Sequence, residues 1–455
     1  MKHGKMHFLE NFTAQKSRAS LNNFGYLFPR DLERLDTDNK EFIIKGLTEL
    51  GQAMTSQVSE DSQLPAFLTY LGQFIDHDLT ASLVKREFAQ DIDQDTFPVI
   101  GEEEELQDLI QNARTGILEI DSLYNTAALD ANGKFILGQL EDEDSVEGND
   151  LPRDPNGEAL IGDSRNDENL VVAQTHVAFL KFHNAIMDKE GVDSQTARKI
   201  ATQHYQWIII HDFLKQLVDY NYVQQALIFG NRFFHPTASN FFLPLEFSMA
   251  AYRLGHSMVR DSYDWNEAVG QITLAELFQF GELGGQVPPP LERKIDWRIF
   301  KENKAKKLDG AIIDPLAAIP TLNINLAVRN LRRGYMFGLP TGQGVAKRIL
   351  FDESLVLAPD ELLEQASPAE KTVLETYHFH QKTPLWYYIL KEAQIREQGE
   401  QLGPVGTVLV TEVLLQSIKL APFSILQESN WQPSLGTTFG FVDMLQYSGL
   451  LEDMA

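Results

Sequence analysis

The chain contains no cysteine. This absence excludes a disulfide framework, cysteine–zinc sites and iron–sulfur clusters. It also excludes a thiolate-ligated haem and haem attachment through a CxxCH motif. Any metal or haem in this protein must therefore use histidine, carboxylate, carbonyl or tyrosine ligands.

Long apolar runs and an excess of basic charge are also missing. No segment approaches 18 apolar residues, so we expect no transmembrane helix. The start, MKHGKMHFLENF, lacks the apolar core of a signal peptide, which leaves two locations open: the cytoplasm, or export without a cleavable signal. With 65 acidic against 39 basic residues the formal charge is −26, and such a surface repels nucleic acid and anionic membranes. The sequence does not indicate an oligomeric state.

What the chain does have is material for a large core. Hydrophobic residues make up 43% of it, with 28 Phe, 13 Tyr and 5 Trp. No repeat appears, and no low-complexity linker is long enough to divide domains. We therefore predict an N-terminal wrapping arm at 1–63 and one compact domain at 64–455.

The hydrophobic periodicity indicates a mainly α fold with few strands. Helices are predicted at 41–54, 64–82, 168–190, about 195–227, 243–263, 384–394 and 403–422.

The stretch at 64–82, LPAFLTYLGQFIDHDLTAS, has the strongest helical pattern. Pro65 suits a first helical turn because proline fixes φ and lacks an N–H. One apolar face is expected to pack into the core, at Phe67, Leu68, Leu71, Phe74, Ile75 and Leu79.

A polar group is set into this apolar helix. Gln73 and His77 are four residues apart and share a face. Asp76 and Asp78 lie about 100° to either side of His77, so their carboxylates point to opposite flanks. Two interpretations follow, a solvated helix end or a functional cluster, and the choice depends on partners elsewhere in the chain.

Those partners are found in motifs that occur in a fixed order. They are GQFIDHDLT at 72, RTGILEIDSLYN at 114, GDSRNDEN at 162, THVAFLKFHN at 175, AAYRLGHSM at 250 and LAVRNLRRGYMFGLPTGQ at 326. Together they resemble the animal-type haem peroxidases, the peroxidase–cyclooxygenase superfamily, and most closely their bacterial members. The resemblance implies a single, mainly helical haem peroxidase domain with haem b.

On this resemblance, the side chains that activate peroxide are His77, Gln73 and Arg165. His77 matches the distal histidine, which takes a proton from one peroxide oxygen and returns it to the other. Gln73 would hold the water network on the same face. Arg165 matches the distal arginine, whose permanent charge stabilises the negative charge that develops as the O–O bond breaks. Without this context, Arg165 would be read as an ordinary ion pair with Asp163 or Asp167.

The resemblance also implies how the haem is held. His256 matches the proximal iron ligand, with Arg253 one turn earlier, and Asn330 matches the partner of the other ring N–H. Asp76 and Glu168 match the carboxylates that form ester bonds to haem methyl groups in many members. Asn169 follows Glu168 where one branch of the family has methionine, so a sulfonium link is not expected.

A calcium site is implied beside the same helix. Asp78, Thr115, Ile117, Glu119 and Asp121 match the family's ligands, Ile117 through its carbonyl oxygen. Alternate residues of an extended segment face one side, and oxygen ligands suit Ca²⁺. Glu119 stands where aspartate is expected. Calcium here would brace the helix that carries His77.

Some histidines have no counterpart role and are predicted as core residues: His176, His183, His204 and His211. The sequence YHFH at 377–380 looks like a cyclooxygenase motif, but it follows the segment at 326 instead of preceding it. A radical-forming tyrosine would stand three residues before His256, where this chain has Arg253.

The predicted function is reduction of hydrogen peroxide through an oxoferryl intermediate, with oxidation of small donors such as halides, thiocyanate or phenols. Two alternatives remain: a haem-dependent fatty-acid dioxygenase of the same superfamily, and a helical binding protein without turnover.

Overall fold

A computed structural model describes most of the chain. The described residues are 7–8, 23–55, 60–84, 99–100, 106, 108–126, 128–141, 148–282, 284–316, 325–436 and 438–451.

Helices dominate these ranges, which confirms the predicted mainly α fold class. They are α1 Lys40–Met54, α2 Phe67–Leu79, α3 Asp121–Tyr124, α4 Leu170–Glu190, α5 Ser194–Ile208, α6 Leu214–Leu217, α7 Tyr220–Phe229, α8 Leu245–Ser248, α9 Gly255–Met258, α10 Leu274–Gln279, α11 Trp297–Phe300, α12 Leu326–Met336, α13 Gly342–Ile349, α14 Pro359–Glu364, α15 Pro368–Thr376, α16 Leu385–Glu397, α17 Pro404–Lys419 and α18 Phe441–Tyr447. Short 3₁₀ helices lie at Ser164–Asp167, Ala251–Leu254, Leu291–Arg293, Asp314–Leu316 and Glu353–Leu355. Among the residues so described, a helix with the length and hydropathy of a membrane span is not found.

The strands are short and form small sheets. They are β1 His7–Phe8, β2 Asn23–Gly25, β3 Asp61–Pro65, β4 Ser82–Val84, β5 Ile110–Asn112, β6 Phe242–Pro244, β7 Ser262–Asn266, β8 Gly270–Thr273 and β9 Lys304–Lys306. β4 pairs parallel with β1 and antiparallel with β5, and β2 pairs parallel with β6 in the register Asn23↔Phe242. The antiparallel pairs β3–β9 and β7–β8 complete the set seen in these ranges.

One connected core holds the helices together. Every residue of α17 from Val405 to Ile418 is buried, and most of them are apolar or small. In α4, residues 170–180 are buried as well. The Asn169 side chain caps the start of α4 by accepting the Val172 N–H, and Gly191 ends the helix at a φ of 65°.

The described part of the predicted N-terminal arm is tied to distant segments. The Tyr26 hydroxyl donates to the Phe337 carbonyl at 2.7 Å. The buried Glu246 carboxylate accepts the backbone N–H groups of Leu27 and Phe28. Helix α1 packs along α12. These bonds place residues from near the N-terminus against the helix that carries Asn330.

The helix predicted at 64–82 is shorter than expected. It covers Phe67–Leu79. Leu64 and Pro65 lie at the end of β3, because pairing with β9 holds them in an extended conformation. At the other end, Ser82 already belongs to β4.

The continuous helix predicted at 243–263 is wrong. That stretch begins in β6, continues through α8, the 3₁₀ helix at Ala251–Leu254 and the single turn α9, and reaches β7. Pairing of β6 with β2 and the extended backbone at Val259 interrupt the helical period. The helix predicted at about 195–227 is likewise divided, by a π-helical turn at Ile209–Phe213 and an extended residue, Val218.

Candidate active site

Helix α2 presents its polar side chains in two directions. Gln73, Asp76 and His77 line an internal cavity of about 250 Å³, whereas Asp78 is fully buried on another flank. This is the separation expected from about 100° of turn per residue. The apolar residues of the same helix pack into the core and fix its rotation.

His77 is held by a bridge to a second histidine. Its Nδ1 lies 2.8 Å from the Asn166 Oδ1, and the Asn166 amide nitrogen lies 3.0 Å from His176 Nδ1. In this arrangement the His77 Nδ1–H donates to the amide oxygen, which leaves Nε2 as the acceptor nitrogen. Burial and the Arg165 charge lower the pKa of His77, so its imidazole is neutral at pH 7.

Arg165 lies in the 3₁₀ helix Ser164–Asp167, which the Asp163 side chain caps. Its Nε and Nη2 bond to the Asp163 carboxylate at 3.0 and 2.6 Å, and Nη2 also donates to the carbonyls of His77 and Thr80. Burial raises the pKa of Asp163, but Arg165 and Arg114 outweigh it and hold that pKa well below its ordinary range. The ion pair therefore fixes Arg165 at the cavity wall.

Gln73 and Asp76 are positioned by neighbours on the same cavity. The Gln73 amide nitrogen lies 3.4 Å from the Glu168 carboxylate, and its oxygen accepts from the Asn169 amide at 3.1 Å. Asp76 accepts the Thr80 hydroxyl at 3.1 Å.

His256 enters the cavity from α9 and Asn330 from α12. The Asn330 amide lies 2.7 Å from His256 Nδ1. A side-chain amide carries both a donor and an acceptor, so a half-turn about its last bond lets the oxygen accept from Nδ1–H. With Nδ1 engaged by Asn330, Nε2 is the ring nitrogen that an iron ion would use. Arg253 lies beside them, 4.0 Å from the Asp76 carboxylate.

The cavity thus gathers every residue predicted to act on peroxide or hold haem. These are Gln73, Asp76, His77, Arg165, Glu168, Arg253, His256 and Asn330. The rest of the lining is mostly apolar, with Phe213, Leu254, Met258 and Phe278 among it. Apolar walls with a few convergent polar groups are typical of a cofactor site.

Sequence reasoning missed several residues of this site. Asn166 and His176 form the bridge to His77, yet His176 is predicted only as a core residue. Arg329 and Arg333, four apart on α12, also line the cavity, and their spacing around Asn330 is a signal that could have found them.

The residues predicted to bind calcium are arranged differently from a metal site. Both Asp78 oxygens accept backbone N–H groups, from Asp121 at 2.9 Å and Ile120 at 3.0 Å. The Thr115 hydroxyl donates to the Glu119 carboxylate at 3.0 Å. In the part of the chain that the structure describes, no cluster of three or more histidine or acidic side chains is placed to hold a metal ion.

The YHFH sequence at 377–380 lies outside the cavity lining. Tyr377 packs against Phe42 of α1 and the ring of Phe379, which is a core contact. The sequence position already argued against a radical site here.

The residues present fit a haem. A buried cavity offers a histidine whose Nδ1 is engaged by a side-chain amide, which is the arrangement that orients an iron ligand. Arg253, Arg329 and Arg333 at its wall supply positive charge that suits the two haem propionates. The lack of cysteine is consistent with histidine ligation.

Two comparisons of the sequence bear on the family that this chain resembles. The sequence model of the animal haem peroxidase family matches residues 92–279. A peroxidase-like protein of Margaritifera margaritifera is 24% identical over 280 residues, 55% of this chain and 35% of that protein. The match therefore spans about a third of that relative's length. Arg165, Glu168 and His256 lie inside the family match, whereas α2 and Asn330 lie outside it and are linked to them by the shared cavity.

Solved structures share the fold. Peroxidase A from Dictyostelium discoideum superposes with a TM-score of 0.65 at 15% identity, covering 94% of this chain and 93% of that one. Fatty acid alpha-dioxygenase of Oryza sativa gives 0.60 at 14% identity, over 92% and 78% of the two chains. This chain therefore shares its fold with a peroxidase and with a fatty acid alpha-dioxygenase.

Proposed function

We propose that this protein is a haem peroxidase of the animal haem peroxidase family, which reduces hydrogen peroxide and oxidises a small donor. The observation that carries the proposal is the single cavity that brings together His77, Arg165, His256 and Asn330 from separate segments. A structural helix bundle has no need of this set.

In this proposal His256 would bind the haem iron, Asn330 would orient the imidazole, and Arg253, Arg329 and Arg333 would pair with the propionates. A bound haem would supply the redox-active iron that peroxide reduction needs. The mostly apolar wall excludes water, which strengthens the electrostatic effect of each polar group inside.

His77 moves the proton. Its neutral imidazole presents Nε2 as a base, because Nδ1 is engaged by Asn166. It takes a proton from one peroxide oxygen and returns it to the other, so the second oxygen leaves as neutral water. The lowered pKa of His77 keeps the base form available below the ordinary histidine range.

Arg165 stabilises the negative charge that develops on the departing oxygen. Its anchoring to Asp163 means that the guanidinium is already in position before peroxide arrives. Such preorganisation avoids a reorganisation step during the reaction.

Ester bonds from Asp76 and Glu168 to the haem are part of the proposal. Both carboxylates line the cavity. Extraction of the holoprotein with acid and butanone tests this point: haem that stays with the protein supports the bonds, and haem that leaves freely contradicts them.

The main test is an absorption spectrum of the purified protein before and after peroxide. We expect a Soret band that shifts with peroxide and recovers when a halide, thiocyanate or phenol is added as donor. A protein that takes up no haem would refute the proposal and favour the alternative of a binding protein without turnover.

A fatty-acid dioxygenase is the second candidate. Structures of that activity share the fold, and Tyr252 lines the cavity with its buried hydroxyl lacking a hydrogen-bond partner among the described residues. A radical-forming tyrosine is expected three residues before His256. This chain has Arg253 there, which favours the peroxidase. Oxygen uptake with a fatty acid, compared with the Tyr252→Phe variant, separates the two.

Three further statements from the sequence stay predictions. These are the boundary between the arm and the catalytic domain at residue 64, a bacterial origin, and a location in the cytoplasm or outside the cell. Calcium binding also stays a prediction. The backbone hydrogen bonds that Asp78 already accepts are relevant to it.

A further inference from the structure

A buried arginine stands beside the predicted calcium loop. Arg114 precedes Thr115 in the chain, and its side chain is 8% exposed. Its Nη1 bonds to Asp121 at 2.8 Å and its Nη2 to Asp163 at 2.5 Å, and Nη2 also donates to the Gly162 carbonyl at 3.1 Å. The guanidinium therefore joins two carboxylates from segments far apart in sequence.

One of those carboxylates, Asp121, is itself a predicted calcium ligand. A second predicted ligand, Asp78, already uses both oxygens to accept the N–H groups of Ile120 and Asp121. Both oxygens of Asp78 and one oxygen of Asp121 thus already accept hydrogen bonds from the chain itself.

Charge leads to the same conclusion. Asp121 and Asp163 are buried beside Arg114, and a buried carboxylate requires a positive partner, whereas Asp78 is held by backbone N–H groups. Arg114 supplies a permanent one. A divalent ion on Asp121 would lie close to a guanidinium already bonded to that carboxylate, and like charges repel strongly where water is excluded.

Two connections run outward from Arg114. One passes through Asp121 and its backbone N–H to Asp78 on α2, the residue after His77. The other passes through Asp163, whose Oδ2 also bonds Arg165 Nη2 at 2.6 Å. A single guanidinium therefore braces both segments that carry the proposed peroxide-activating side chains.

We propose that the Arg114 guanidinium takes the place of the calcium ion at this site, so that the chain braces α2 and Arg165 with its own cation. Arg114 is then a positioning residue. The catalytic role of the segments that Arg114 positions rests on the proposed function, whereas the replacement of calcium by Arg114 does not.

The first test uses the full-length protein as purified. Calcium content is measured by mass spectrometry after dialysis, and thermal unfolding is followed in calcium chloride and in an excess of EGTA. We expect far less than one calcium per chain and the same Tm in both buffers. Stoichiometric calcium, or a Tm that EGTA lowers, would overturn the proposal.

A pair of variants sharpens the result. Arg114→Ala should lower the Tm, and added calcium should restore part of the loss because Asp78 and Asp121 become available to it. Arg153→Ala is the matched control: Arg153 is also buried and bonds two carboxylates, Asp150 and Asp167. This control should lose stability without responding to calcium. Equal calcium responses of the two variants, including none in either, would overturn the proposal.

Neither readout depends on enzymatic activity. Loss of the peroxidase proposal would leave the calcium content and the Tm comparison unchanged. Should Arg114→Ala fail to fold, the wild-type measurements alone still decide whether calcium occupies this site.

Discussion

The polar side chains on the two flanks of helix α2 have different surroundings. On the cavity flank, Gln73, Asp76 and His77 face a space that the chain does not fill. On the other flank, Asp78 is fully buried and each of its oxygens accepts a backbone N–H. One short helix thus contributes to a cavity that can hold a ligand and to a polar site whose hydrogen bonds all come from the protein itself.

The difference shows that acidic residues close together in sequence need not share a purpose. On the cavity flank, hydrogen-bonding groups are available to a ligand. On the flank of Asp78, they are already bonded to the backbone. A change on the first flank should alter ligand binding and reactivity, and a change on the second should alter stability.

The largest effect is expected from His256→Ala. Without the imidazole the cavity loses its iron ligand, so the variant should not retain haem through gel filtration and should show no Soret band. Thermal stability of the haem-free protein should change little, because the side chain faces the cavity. The exposed His235→Ala is the matched control and should bind haem like the wild type. An unchanged spectrum in His256→Ala would show that the iron ligand is another residue.

His77→Ala tests the cavity flank at its centre. Haem should be retained, but the reaction with peroxide should slow by about 10²–10⁴-fold, the usual contribution of general acid–base catalysis. Stopped-flow spectroscopy measures that rate. Added imidazole should recover part of it by occupying the space left by the side chain. A variant that reacts at the full rate would remove His77 from the proton-transfer role.

The features of the fold and the site that could be predicted are those that depend on residues close together in sequence. The separation of Asp76 from Asp78 follows from the turn per residue of a helix, which is a local property. The local backbone structure around His256 does not follow from such a local property. The stretch predicted as a helix at 243–263 begins in β6, which pairs with β2 more than two hundred residues earlier, and periodicity within a window cannot report such a contact.

The contacts that complete the site were missed for the same reason. Asn166 meets His77 across 89 residues of sequence, and Arg114 meets Asp163, which is likewise distant from it in sequence. Motif resemblance located the residues that act on a haem but gave no indication of these bridges. Arg114 stands directly next to the predicted calcium ligands, yet only the fold shows that its side chain turns toward them.

The comparison of the flanks is tested directly by Asp78→Ala and Asp76→Ala. The first leaves two buried backbone N–H groups without acceptors and should reduce the free energy of unfolding by about 2–4 kcal/mol. The second removes a partly exposed carboxylate bonded to Thr80 and should cost less than about 1 kcal/mol. Denaturant unfolding of the haem-free proteins gives both values. Equal losses would show that the two flanks do not differ as described.

The last prediction concerns the pH dependence of a polar site in the core, at His204. Its Nδ1–H donates to the Ile200 carbonyl at 2.8 Å, and its Nε2 accepts the Leu435 N–H at 3.3 Å, so only the neutral ring satisfies both bonds. Burial lowers the pKa of His204 from 6.5 to about 4. Between these values the unfolded chain binds more protons, so the stabilisation is complete above pH 6.5 and is lost as the pH falls towards 4.

At pH 5 this single histidine should reduce the free energy of unfolding by about 2 kcal/mol relative to pH 7. His204→Gln cannot take up a proton, so its Tm should fall less between pH 7 and pH 5 than that of the wild type, although its Tm at pH 7 is lower. Parallel Tm curves for the two proteins would mean that His204 titrates alike in the folded and unfolded states. A shallower curve for the variant would show that a polar group closed by the chain contributes to stability in one protonation state only.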